Sequence, residues 1–163
     1  MIFSNEDTMR LYLDTSVIGA LLDIEIPQRV EVTRAMIDLI IDGTHTGILS
    51  NIVLEEIERA PEVIKERLLA EIRDVPFQMI IEDEASANLL SIYEKEGFIR
   101  KGARLDLRHL SVATVSGVDA IVSWNFRDIV NIRTRRAVHS LNLRHGFPLL
   151  EIVSPEEVIE YED

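Results

Sequence analysis

Short, wholly apolar runs alternate with stretches of helical periodicity along the chain, and no other feature constrains the fold as much. The short runs fall at 10–14, 47–49, 77–81, 120–123 and 149–153. Each has the length and apolarity of a strand buried on both faces. Between them the apolar residues recur at helical spacing. Thr15 or Ser16 can cap a helix running to Leu22, and Pro27 suits the first turn of another that reaches Gly43. Ser50 or Asn51 can cap a helix carrying Val53, Leu54 and Ile57, and Pro61 opens one to about residue 73. Further helices are expected over 85–96, 105–116 and 132–143, with Gly97, Gly117 and Gly146 as stops, and a last short one after Ser154. Strands alternating with helices predict an α/β fold of three layers, α/β/α, around a central, mostly parallel sheet.

The 163 residues suit one domain, expected over 9–163, large enough to bury a core without staples. There is no cysteine, which excludes disulfides and thiolate metal sites. No apolar run approaches the roughly 20 residues of a membrane-crossing helix. Residues 1–8 include Glu6 and Asp7 but no basic residue, unlike a secretory signal, and are expected to be a disordered lead-in. These features suit a cytoplasmic protein.

Charge is divided along the chain. The net charge is −12, which taken whole argues against a nucleic-acid binder. Yet residues 100–145 hold nine basic and three acidic residues, a local +6 that leaves −18 for the remainder. Such a division suits one face for a polyanion and another for a basic partner, although ordinary salt bridges on solvated helices give the same pattern.

In parallel α/β sheets the functional crevice lies at the carboxyl ends of the strands. Asp14 ends the first strand and precedes Thr15 and Ser16; Glu56 lies one to two turns into the helix after the second. Asp106 falls in the first turn of the helix carrying His109, and Asn125 lies two residues past Ser123. Acids converging there repel one another unless a cation neutralises them. Oxygen ligands without cysteine favour Mg²⁺ or Mn²⁺. Singly, each residue has a plainer reading. Asp14 can be a cap, Glu56 one of several solvated acids beside Glu55 and Glu58, Asp106 a partner of the helix dipole, and His109 a packed histidine.

Together the segments resemble the PIN-domain family, whose members include the VapC-type toxin ribonucleases. Leu11-Tyr-Leu-Asp14-Thr-Ser-Val-Ile resembles the family's opening motif, and Ser50-Asn-Ile-Val-Leu-Glu-Glu56-Ile its second. Asp106-Leu-Arg-His109-Leu-Ser-Val-Ala113 resembles the third, and Asp119-Ala-Ile-Val-Ser-Trp-Asn125-Phe the fourth. The likeness spans roughly residues 9–155, in order and in matching structural context. It implies a PIN-like three-layer fold and Mg²⁺- or Mn²⁺-dependent RNA endonuclease activity. It also implies an antitoxin protein as partner, a homodimer, and Asp14, Glu56 and Asp106 as catalytic metal ligands. The fourth ligand position holds Asn125, whose amide oxygen can ligate a hard cation but supplies no negative charge. Thr15, Ser16, His109, Ser123 and Asp128 are expected auxiliaries. Arg104, Arg108, Arg127, Arg133, Arg135 and Arg136 are expected to border the acids and hold RNA phosphates.

A second reading, from another class, is a PIN-fold module that binds RNA or protein without cutting. A third, a phosphotransfer or haloacid-dehalogenase-like protein built on Asp14, lacks the second Asp two residues on. No Gly-rich phosphate loop is present.

Overall fold

The computed structural model describes residues 8–162. Strands β1 (Arg10–Leu13), β2 (Thr46–Ser50), β3 (Gln78–Ile80), β4 (Ala120–Val122) and β5 (Glu151–Val153) form one sheet in the order β3-β2-β1-β4-β5. Every pairing is parallel. The connections are helices: α1 (Thr15–Ala20), α2 (Pro27–Ile41), α3 (Asn51–Glu58), α4 (Glu62–Arg73), α5 (Glu84–Glu96), α6 (Arg104–Val115), α7 (Ile132–Arg144) and α8 (Pro155–Glu162). The expected lead-in lies, apart from Thr8, outside the described residues. No described helix is long and apolar enough to cross a membrane.

Side chains alternate along the strands and build a separate core on each face. Tyr12, Ile48, Ile121 and Ile152 pack on one side with residues of α5, α6 and α7, including Leu89, Tyr93, Leu110 and Val138. Leu11, Leu13, Leu49, Ala120 and Val122 pack on the other with residues of α1–α4 and α8, including Ile18, Ile37, Ile57 and Val158. Burial on both faces explains why these strands are continuous apolar runs rather than alternating ones. The edge strand β3 differs, with Gln78 and Met79 exposed.

The elements match the sequence reading with small shifts. Asp14, rather than Thr15 or Ser16, caps α1, its carboxylate accepting from the Val17 N–H. β5 starts at Glu151 rather than 149, because its partner strand β4 begins pairing at Ala120 opposite Glu151. α6 begins at Arg104 after a 3-10 turn over Lys101–Ala103.

Strand order reverses at the β1–β4 pair, since β2 and β3 extend one way and β5 the other. A ligand crevice opens beyond the carboxyl ends of strands at such a switch point. The chain leaves β1 there at Asp14 and β4 at Ser123.

Candidate active site

Asp14, Thr15, Ser16, Glu56, Asp106, His109 and Asn125 line one cleft of about 290 Å³ at this switch point. They come from the ends of β1 and β4, the second turn of α3 and the first two turns of α6. Asp106 and His109 share a face of α6 because residues three apart are neighbours on a helix.

Asp14 is the most deeply set, at 2% exposure. Ser16 Oγ and the Val17 N–H donate to its Oδ1, and Ser123 Oγ donates to Oδ2 at 2.6 Å. The two serines are themselves fixed, Ser16 Oγ accepting from Trp124 N and Ser123 Oγ from Asn125 N, each at 2.9 Å. A carboxylate offers about four lone-pair directions, so these three bonds leave about one for the cleft. Burial raises the Asp14 pKa, and the nearby His109 and the serine bonds counter only part of that shift.

Glu56 is held differently. Burial opposes its charge, but bonds from His109 Nε2 at 2.8 Å and Thr15 Oγ1 at 2.7 Å outweigh it and hold its pKa below the usual carboxylate range. The ionised carboxylate accepts the Nε2–H of His109, so a neutral imidazole leaves Nδ1 to accept from the Tyr12 hydroxyl, 2.6 Å away. Tyr12 in turn meets Ser50 Oγ at 2.7 Å, and Ser50 caps α3 through the Ile52 N–H. Burial lifts the Tyr12 pKa well above its ordinary value and keeps the phenol neutral. His109 is thus a buried strut that aims Glu56. Sequence reasoning missed Tyr12; the available signal was a polar-tipped aromatic inside an otherwise apolar strand, whose hydroxyl must find a partner when buried.

Asp106 carries the strain of the cluster. Burial first, then repulsion from Asp14 and Asp128, raises its pKa to about 6, against the opposing pull of His109. Asn125 Nδ2 donates to its Oδ2 at 3.2 Å, while Asn125 Oδ1 accepts from the Asp128 N–H at 3.0 Å. The amide therefore presents a donor to Asp106, not the free oxygen that a ligand role for Asn125 requires.

The donor set, three hard carboxylates crowded enough to raise one pKa, has the chemistry of a Mg²⁺ or Mn²⁺ centre. As placed, however, no three acidic or histidine side chains among the described residues converge closely enough to hold a metal ion. Every buried side-chain polar atom among them already has a hydrogen-bond partner. Metal binding would exchange some of these bonds for ligation.

The remaining expected residues stand elsewhere. Asp128 turns away from the cleft, its carboxylate taken by Arg100 Nε at 3.2 Å and Nη2 at 3.1 Å. No arginine lines the cleft, contrary to expectation. Arg104 pairs with Glu94, and Arg108 with Glu55 and Glu82. Both lie two residues from Asp106, on a different face of α6, which is the physical reason for the error. Arg135 holds the Ile152 carbonyl and Glu157, and Arg136 is exposed on α7. Arg127 and Arg133 line an adjoining cavity.

No protein-family model and no curated protein matches the sequence. Among solved structures, a chain of VapBC2 from Rickettsia felis, crystallised with a DNA fragment from its promoter, is similar at a TM-score of 0.55 and 15% identity. The match covers 90% of this chain and 98% of that one. At that identity the likeness is one of fold, and it agrees with the wholly parallel five-stranded sheet between helical layers. The chain therefore has the PIN-like α/β fold.

Proposed function

We propose that the chain is a cytoplasmic, divalent-metal-dependent RNA endonuclease of the VapC type, the toxin of a toxin–antitoxin pair. The observation that carries this reading is the lining of one switch-point cleft by Asp14, Glu56 and Asp106, drawn from three separate elements. The raised pKa of Asp106 supports it, because a cation relieves the repulsion that raises it. An antitoxin partner is supported by the shared fold with a chain of the VapBC2 complex. The homodimer rests on the motif resemblance.

Asp14, Glu56 and Asp106 would hold the ion. Bound Mg²⁺ or Mn²⁺ supplies charge neutralisation at a scissile phosphate and a water of lowered pKa. The chain's own contribution is preorganisation. Ser16 and Ser123 lock Asp14, while His109, braced by Tyr12, and Thr15 aim Glu56. Asn125 orients Asp106 through its amide N–H. We assign Asn125 that orienting role instead of ligation.

A second reading, a non-catalytic PIN-fold module, is favoured by the open spacing of the acids and by the amide at position 125. Titrating Mn²⁺ into the protein in a calorimeter separates the two. The nuclease reading expects saturable binding that the double variant Asp14→Asn/Asp106→Asn abolishes. No binding by the wild-type protein, or equal binding by the variant, favours the module.

A further inference from the structure

The turn between β4 and α7 separates the acidic cleft from a second cavity of about 410 Å³. Asn125 lines the cleft and Asp128 the cavity, joined across the turn by the Asp128 N–H to Asn125 Oδ1 bond. Three guanidinium groups line the cavity, Arg100, Arg127 and Arg133, against the single carboxylate of Asp128. That carboxylate is already answered by Arg100. Arg127 and Arg133 are exposed and have no side-chain hydrogen-bond or ion-pair partner among the described residues. This is unusual for a chain with 29 acidic residues. Arg34, Arg104, Arg108, Arg135 and Arg144 all pair with glutamates. Two unpaired guanidinium groups thus face one cavity, each a planar fork suited to phosphate oxygens. Phe98 and Ile132 add apolar wall beside them. The volume lies within the roughly 300–1,000 Å³ of small-molecule sites.

We infer that this cavity is a nucleotide subsite, taking one phosphate and its nucleoside from a single RNA strand whose neighbouring phosphodiester lies in the acidic cleft. A single strand is required because its bases can splay into a pocket, whereas those of a duplex are stacked away. The cleft half of this inference rests on the nuclease reading; the cavity half does not.

The test measures binding of a fluorescently labelled single-stranded octaribonucleotide to the full chain in EDTA, across a salt series. EDTA keeps cleavage out of the readout, so a failure of the nuclease reading appears only in a cleavage assay and leaves this one standing. Arg127→Ala/Arg133→Ala should weaken binding tenfold or more. It should also flatten the slope of log affinity against log salt by about 1.4, at about 0.7 per lost phosphate contact. The melting temperature should be unchanged, since both side chains are exposed and unpaired. Arg59→Ala/Arg73→Ala removes the same charge elsewhere and should leave the affinity within about twofold. Arg127→Lys/Arg133→Lys, which keeps charge but loses the forks, should fall between. Equal affinity and slope in the Arg127/Arg133 alanine variant, an equal loss in the Arg59/Arg73 control, or no binding by wild type overturns the inference. Displacement of the octamer by free nucleoside 5′-monophosphate at the octamer's own concentration also overturns it, in favour of a free-nucleotide site.

Discussion

Replacing Asp106 by Asn should stabilise the metal-free protein at neutral pH while removing its function. The carboxyl's pKa is raised to about 6 in the folded chain, chiefly by burial, then by Asp14 and Asp128. An unfolded Asp titrates near 3.9. A folded pKa above the unfolded one means that the folded state binds the proton more tightly. The ionised group therefore costs stability, and the loss develops as pH rises from about 4 to about 6 and is complete above that. A shift of about two units corresponds to roughly 3 kcal/mol; partial solvent screening reduces this to about 1–2 kcal/mol. Asparagine keeps the shape and can still accept from Asn125 Nδ2. At about 2–4 °C per kcal/mol for a chain of this size, the variant should melt roughly 2–8 °C higher at pH 7.5. At pH 4 the two proteins should melt together. Differential scanning calorimetry across that range is the assay. A variant that melts lower than wild type at pH 7.5, or a constant difference at all pH values, refutes the reasoning.

Three other outcomes follow from the same geometry. Asn125→Asp places another carboxylate beside Asp106 and removes the amide donor, so it should cost about 1–2 kcal/mol without metal yet bind Mn²⁺ more tightly than wild type by calorimetry; weaker binding would contradict the orienting role assigned to Asn125. Gly47→Ala should cost about 1–3 kcal/mol in urea unfolding, because its Cβ would lie 2.8 Å from the Phe77 ring and 2.9 Å from Ile40 Cδ1; an unchanged midpoint would mean that β2 and β3 have room to part. Arg100→Ala leaves the buried Asp128 carboxylate without its cation and should cost about 1–2 kcal/mol after allowance for Arg100's half exposure, with Asp128→Asn in the same chain recovering most of it; no recovery would locate the loss elsewhere.

Much of the fold is legible in the sequence because buried parallel strands leave an unambiguous trace. The runs at 10–14, 47–49 and 120–123 contain little but apolar residues, since both faces are covered. The start of β5 was harder to read. Leu149 is apolar but 60% exposed, and apolarity alone does not reveal where the neighbouring strand begins to pair. The gathering of Asp14, Glu56 and Asp106 was legible from strand-end position and helix register. The arginines were misplaced because sequence proximity to Asp106 says nothing about helix face. Arg108 turns to Glu55 and Glu82, whereas His109, one residue on, enters the cleft. Which oxygen of Asn125 is spoken for, and that Asp128 answers Arg100, depend on contacts across the tertiary structure that no local pattern encodes.

The central claim, that the cleft of Asp14, Glu56 and Asp106 cuts RNA with a divalent cation, is tested most directly by cleavage itself. Purified wild-type protein, Asp14→Asn and Asp106→Asn would be incubated with labelled total RNA, in Mn²⁺ and in EDTA. The account predicts fragments from the wild type in Mn²⁺ only, with both variants at least a hundredfold slower, a loss of about 2.7 kcal/mol or more in transition-state stabilisation. Fragments that persist in EDTA, or variants that cut as fast as the wild type, would contradict it.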